Sequence, residues 1–242
     1  MGPMFWPFPK PLTEARLIRR YKRFLADVEL CDGEVVVAHC VNTGRMSGCS
    51  EPGSRVWLEP ADEGSKRKLR WTWVLTETLS GVVVGVHTGF PNRFAAALLR
   101  TDAITPLSGY ATVRTEVKMG ESSRVDVFLE GHSSQPNCWV EVKNVTMVID
   151  DVALFPDAVT ERGRKHLNEL ASCVKSGDRA AMLYVIQRTD GDTFRPADLI
   201  DPAYGDSLRH VVNECGVEAY ALRTRPTPEG LHLQDLIPVE LD

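Results

Sequence analysis

The chain has 242 residues, 43% hydrophobic and 25% charged, with 28 Lys and Arg against 33 Asp and Glu for a net charge of −5. That length makes one or two domains and buries a sizeable core without disulfide staples; the composition excludes disordered, collagen-like and coiled-coil chains. The charge is uneven. Residues 1–110 hold 14 Lys and Arg against 11 Asp and Glu, and residues 111–242 hold 14 against 22, so a polyanion surface is local and expected in the first half.

In chain order, the stretch Met1–Pro9 lacks a basic segment followed by an apolar one and is a poor secretory signal. It reads as an extended lead-in. No apolar run approaches the roughly 18 residues of a membrane span, so the expectation is a cytoplasmic protein without a membrane partner. Residues 15–90 read as β. Leu25–Leu30 and Glu34–His39 flank Cys31-Asp32-Gly33, and Asp-Gly is a hairpin signal. Val56–Leu58, Trp71–Thr76 and Val82–Val86 follow, with Trp71, Trp73 and Leu75 alternating against Thr72, Val74 and Thr76. Five short strands predict a small barrel or sandwich over residues 1–90. The polar loop Pro60–Leu69 carries Lys66, Arg67 and Lys68.

From residue 91 to 242 the character is α/β. A short helix is expected over Asn92–Arg100, then strands Val113–Lys118 and Val125–Leu129 joined by a hairpin turn at Gly120–Ser123, then strand Trp139–Val145. A helix over Thr160–Lys175 carries the apolar stripe Leu167, Leu170, Ala171 and Val174, with Thr160 or Asp157 as its cap and Gly177 closing it. Strand Ala181–Gln187, helix Asp206–Cys215 and strand Val217–Leu222 complete the reading. The six cysteines, at 31, 40, 49, 138, 173 and 215, form no Cys-x-x-Cys pair, so they are expected as buried thiols rather than a zinc site.

The chemistry concentrates in Arg124-Val125-Asp126 and Glu141-Val142-Lys143. Residues two apart on a strand share a face, so Glu141 and Lys143 project together. With the strand of Asp126 beside them, two carboxylates and one ammonium converge. That set suits Mg²⁺ or Mn²⁺, which take oxygen ligands and keep much of their hydration. It is the logic of a PD-(D/E)xK nuclease, and hairpin, third strand, helix, fourth strand is the order such a core requires. The alternative is a solvated ion pair on an exposed face. Glu116 is a candidate third acid, with a plain surface charge as its alternative. Arg162 and His166, four apart, share one helix face where they could hold a scissile phosphate. Lys22, Arg23, Arg45, the Lys66–Lys68 loop, Arg124, Arg162 and His166 are the candidate nucleic-acid contacts; Trp71 and Trp73 are expected to fill the barrel. Asn42–Cys49 is a Gly-punctuated loop that does not match a P-loop.

The segments Arg20–Val28, His39–Cys49, Lys66–Lys68, Ser122–Asp126, Glu141–Thr146 and Phe155–Gly163, in this order, resemble the sugar fermentation stimulation protein A (SfsA) family. The resemblance implies an N-terminal OB-fold-like five-stranded β-barrel (1–90) and a C-terminal PD-(D/E)xK nuclease-like mixed sheet flanked by helices (91–242). It also implies non-specific DNA binding and a regulatory link to maltose metabolism; RNA and single strands stay open as further partners. The nuclease motif carries over onto Asp126, Glu141 and Lys143. Many such nucleases place another acid on the helix before the sheet; here that helix has none, and Asn92 or Glu116 is what could substitute. Two functions follow: a metal-dependent nuclease, or a catalytically silent DNA-binding regulator. Nothing in the sequence supports a sugar-phosphate enzyme. A dimer is open.

Overall fold

A computed structural model of the chain describes residues 4–120 and 123–242. Its elements in chain order are β1 (Phe5–Pro7), β2 (Thr13–Tyr21), β3 (Leu25–Leu30), β4 (Val35–His39), β5 (Arg55–Pro60), β6 (Trp71–Glu77) and β7 (Val83–Gly85), then α1 (Phe90–Leu99), β8 (Thr112–Met119), β9 (Ser123–Glu130), β10 (Cys138–Val145), β11 (Met147–Ile149) and β12 (Val152–Phe155), then α2 (Glu161–Lys175), β13 (Arg179–Ile186), β14 (Thr193–Pro196), α3 (Pro202–Asn213), β15 (Glu218–Thr227) and β16 (Gly230–Ile237). Glu121 and Ser122, half of the expected hairpin turn, and Met1–Pro3 lie outside the described residues.

Strands β2 to β6 close on themselves. The antiparallel order β4-β3-β2-β5-β6 is shut by a parallel β4–β6 pairing at Ala38–Trp71 and His39–Thr72, and β7 adds to β6. This is the five-stranded OB-type barrel. Its interior holds Leu17, Val28, Leu58, Trp73, Cys40 and Cys49, so Trp73 is a filler; Trp71 packs half-buried against the same core. Cys31 is exposed on the β3–β4 turn.

The second sheet has seven strands in the order β1-β16-β15-β13-β10-β9-β8. Strands β10, β13 and β15 run parallel and the rest pair antiparallel, giving the nuclease-like mixed sheet. One face packs α1 and the other packs α2 and α3. Phe5–Pro7 pairs with Gly230–His232 and so belongs to this sheet and not to the barrel.

The alternation in β6 does not mark a wet face. Thr72, Val74 and Thr76 are as buried as Trp73 and Leu75. The reason is that Trp57, Val74 and Leu75 on the barrel's outside share one apolar core with Phe90 and Phe94 of α1 and with Val127, Val140 and Leu183 of the large sheet. Gln187, just past β13, locks this junction. Its amide N donates to the Gly85 carbonyl (2.9 Å) and to Asn144 Oδ1 (2.8 Å), and Gly85 N–H donates back to the Gln187 carbonyl. The end of β7 is thereby tied to the ends of β10 and β13. A third, small sheet, β11-β12-β14, covers one end.

Candidate active site

Asp126 sits mid-strand in β9, between Val125 and Val127, both fully buried. The β9–β10 ladder stops at the Val127–Val140 pair. Beyond it the strands part where Asp126 and Glu141 would face each other. The Val142 N–H, left without a strand partner there, donates to Asp126 Oδ2 at 2.7 Å; a side chain replaces a ladder bond. Asn92 on α1 donates its amide to Asp126 Oδ1 at 2.6 Å. α1 thus brings an amide, and not an acid, to the Asp126 carboxylate.

Glu141 is 3% exposed. Its Oε1 accepts from Lys143 Nζ at 2.7 Å and from His166 Nδ1 on α2. Its Oε2 is buried and has no partner. Arg162 Nε donates to His166 Nε2 at 3.3 Å, which fixes the tautomer with its proton on Nδ1, aimed at Glu141. α2 is held in place by its cap: Thr160 Oγ1 accepts from Gly163 N–H at 3.0 Å, and buried Asp201 accepts from Thr160 N–H at 2.7 Å and from Arg164 at 3.1 Å.

The register of β8 on β9 sets Glu116 between the Thr115–Val127 and Val117–Val125 pairs, opposite Asp126. Its φ is 55°, a left-handed conformation uncommon for a non-glycine residue inside a strand and costing roughly 1–3 kcal/mol. Glu116, Arg124, Asp126, Glu141, Arg162 and His166 line one cleft of about 420 Å³. Ser123 and Lys165 join them; neither stood out in the sequence, because nothing local marks them.

Burial, followed by the charge of Glu141, pushes Asp126 up to about 7, against the Val142 N–H and the Lys143 ammonium, which pull it down. Burial acts on Glu141 in the same sense, but the bonds from His166 and Lys143 outweigh it and hold Glu141 below the usual carboxylate range. One carboxylate of the pair is therefore ionised and the other is reluctant to ionise, a strain that a cation relieves. Among the described residues no group of three or more His, Cys, Asp and Glu forms a ready metal cage. The pair fits an ion that keeps most of its own water, as Mg²⁺ does with one or two carboxylates. Glu141 Oε2, buried without a partner, is the oxygen that would be available to such an ion.

The candidate nucleic-acid contacts do not gather in one place. Arg124, Arg162 and His166 are at the cleft, although His166 is buried and spent on Glu141. Arg67 and Lys68 line a cavity on the barrel, and Arg23 another beside Asn42–Gly44 and Phe155–Thr160. Lys22, Arg45 and Lys66 are exposed and line neither. Arg20 is used internally: its guanidinium donates to the carbonyls of Arg23, Asn42, Gly44 and Arg45 and pins that loop.

An OB-type barrel fused to a nuclease-like mixed sheet with a carboxylate pair at its splayed strands defines the class of this protein. Residues 18–86 match the profile described as "SfsA N-terminal OB domain", and residues 89–230 match "Sugar fermentation stimulation protein RE domain". The chain belongs to the sugar fermentation stimulation protein family. A homologue of that name from Geobacter metallireducens is 51% identical over 96% of this chain and 99% of its own, and one from Geobacter sulfurreducens is 51% identical over 96% and 97%. The solved structure of Pyrococcus furiosus SfsA in complex with Ca²⁺ has the same fold, with a TM-score of 0.86 at 24% identity over 97% of this chain and 98% of that one.

Proposed function

We propose that the chain is a nucleic-acid-binding protein with a divalent-metal-dependent phosphodiesterase site at Asp126 and Glu141. The observation that carries this is the buried, partnerless Glu141 Oε2 beside a carboxyl whose ionisation burial and Glu141 oppose. A second support is that the fold relative from Pyrococcus furiosus is described in complex with Ca²⁺, a hard cation that takes the same oxygen ligands.

Mg²⁺ or Mn²⁺ at this pair would polarise a phosphate oxygen and lower the pKa of a water. The chain's own residues do the rest. His166 and Lys143 hold Glu141 through Oε1 and leave Oε2 as the oxygen that would take the ion. Asn92 and the Val142 N–H fix the rotamer of Asp126. The Lys143 ammonium, two residues along the same face, offsets charge that builds on the phosphorane oxygens. Exposed Arg124 and Arg162 at the cleft rim grip the non-bridging oxygens of the phosphodiester. Glu116, opposite Asp126, is a third acid for a second ion or for the water. DNA and RNA carry the same phosphodiester and both are candidate substrates. The relatives' name ties them to stimulation of sugar fermentation, which we read as a regulatory consequence of nucleic-acid binding in the cytoplasm.

The second reading, a DNA-binding regulator on a silent nuclease scaffold, draws on Asn92 standing where an acid is commonly found. A cleavage assay on labelled single- and double-stranded DNA and RNA separates the two. The nuclease reading predicts hydrolysis that needs Mg²⁺ or Mn²⁺ and disappears in Asp126→Ala and Lys143→Ala. Binding without turnover at any metal concentration leaves the silent scaffold.

A further inference from the structure

Two cavities, the second of which shares Glu116 and Asp126 with the carboxylate cleft, meet at one side chain that the catalytic reading does not use. The first, about 630 Å³, lies on the barrel between the Lys66–Arg70 loop and the start of α1, and is lined by His39, Arg67, Lys68, His87, Phe90 and Arg93. The second, about 540 Å³, lies along α1 and is lined by Trp6, Arg93, Arg100, Glu116 and Asp126. Arg93 lines both. Its neighbour Asn92 is the residue bonded to Asp126. The surface from the barrel to the carboxylates is therefore continuous across one helix.

The charges along it await a partner. In this acidic chain the cations of the second half are mostly neutralised: Arg164 by Asp201, Arg179 by Glu218, Arg188 by Asp190, Arg209 by Asp198, Arg223 by Asp192 and Asp235. Among the described residues, Lys68, Arg93 and Arg100 are exposed and have no ion pair, and Arg67 has only a hydrogen bond to Thr72 Oγ1. One acid, Glu59, shares the first cavity with them. Aromatic faces are interleaved: the half-buried His87 ring is stacked on buried Phe90 (centroids 4.0 Å apart, 14° between planes), and the half-buried Trp6 indole lies edge-on to Phe90 at 5.6 Å. Cations alternating with ring faces suit a sugar-phosphate backbone with splayed bases. Cavities of several hundred Å³ take ligand-sized groups, a scale that suits the separate nucleotides of an unpaired strand.

We propose that these two cavities form one track for an unpaired polynucleotide strand, running from the Arg67–Lys68 loop over Arg93 to Asp126. The inference rests on the phosphodiesterase reading for what happens at the end of the track, and it names the substrate form. Phosphates lie on Lys68, Arg93 and Arg100, bases lie against His87 and Trp6, and the scissile phosphate arrives at the carboxylates from the α1 side.

The test is fluorescence anisotropy with a labelled oligothymidylate, and with the same strand in duplex, in EDTA so that no cleavage occurs. The expected result is tighter binding of the single strand, a roughly tenfold loss in Arg93→Ala, and a log–log salt slope shallower by about 0.7 for the lost contact. Arg93 is exposed on a helix surface, so alanine there keeps the fold. Arg195→Ala, which removes a cation paired to Glu240 and lining neither cavity, leaves affinity unchanged. Wild-type binding that Arg93→Ala does not weaken, or that favours the duplex, overturns the track and leaves the carboxylate site standing. No affinity of the wild type for any strand overturns the nucleic-acid reading itself.

Discussion

His166 Nδ1 on α2 donates to Glu141 Oε1 on β10, across the boundary between the helix layer and the large sheet. Both side chains are nearly inaccessible, at 5% and 3% exposure. The histidine that the sequence offers as a phosphate contact is thus a positioning residue for a carboxylate. Residues that orient a metal ligand typically contribute ten- to a hundredfold to affinity or activity. His166→Ala is expected to weaken Mn²⁺ binding, followed by isothermal titration, about tenfold or more, with His166→Gln recovering part of it. Equal affinity in all three proteins would remove His166 from the site.

Asp126 and Glu141 are two acids drawn together under burial, and removing one charge relieves the other. Asp126→Asn keeps an oxygen for the Val142 N–H while losing the charge. The metal-free variant is expected to be more stable than the wild type by about 1 kcal/mol at pH 7–8 in urea unfolding, and to bind no Mn²⁺. A stability loss would mean that the Asn92 and Val142 bonds, and not charge repulsion, dominate at Asp126.

How much of this was legible depended on range. Glu141 and Lys143 share a face through the two-residue repeat of a strand, and Thr160 announces α2 through cap chemistry; both are local rules. The Asn92–Asp126 bond spans 34 residues and follows from how α1 lies on the sheet, which no local pattern states. β16 was missed because Leu231-His232-Leu233-Gln234-Asp235 alternates weakly and is fixed by pairing with β15. β1 was missed because Pro7 and Pro9 argue against a strand, yet an edge position tolerates them. The start of α3 obeys a local rule: Asp201 caps it and Pro202 opens it, four residues before the expected Asp206.

Asp201 also serves two helices. It accepts from Tyr204 N–H at the start of α3, from Thr160 N–H at the start of α2 and from Arg164, at 2% exposure. Asp201→Ala leaves the partly exposed Arg164 without its partner and two helix ends uncapped. A loss of about 2 kcal/mol, roughly 1 for each cap, is expected by urea unfolding; a loss under about 0.5 kcal/mol would show that water replaces the carboxylate.

His87 supplies a pH dependence. Burial, followed by the positive charge of Arg93 and to a lesser extent His39 and Arg67, lowers it to about 4. The unfolded chain takes up a proton near pH 6.5 that the folded chain refuses until about 4, so stability falls as pH drops through that window. His87→Phe keeps a ring on Phe90 and removes the titration. Its stability relative to wild type is expected to rise between pH 6.5 and 4 by on the order of 2 kcal/mol. Parallel stability curves would show that His87 protonates freely in the fold.

Asp126 and Glu141 are proposed to hold one divalent cation between them. Crystals soaked in Mn²⁺ and measured at a wavelength where manganese scatters anomalously test it directly. The account predicts a peak within ligand distance of both Asp126 and Glu141 Oε2, with the remaining positions filled by water. A peak elsewhere only, with Glu141 Oε2 still without a partner at saturating Mn²⁺, would contradict it.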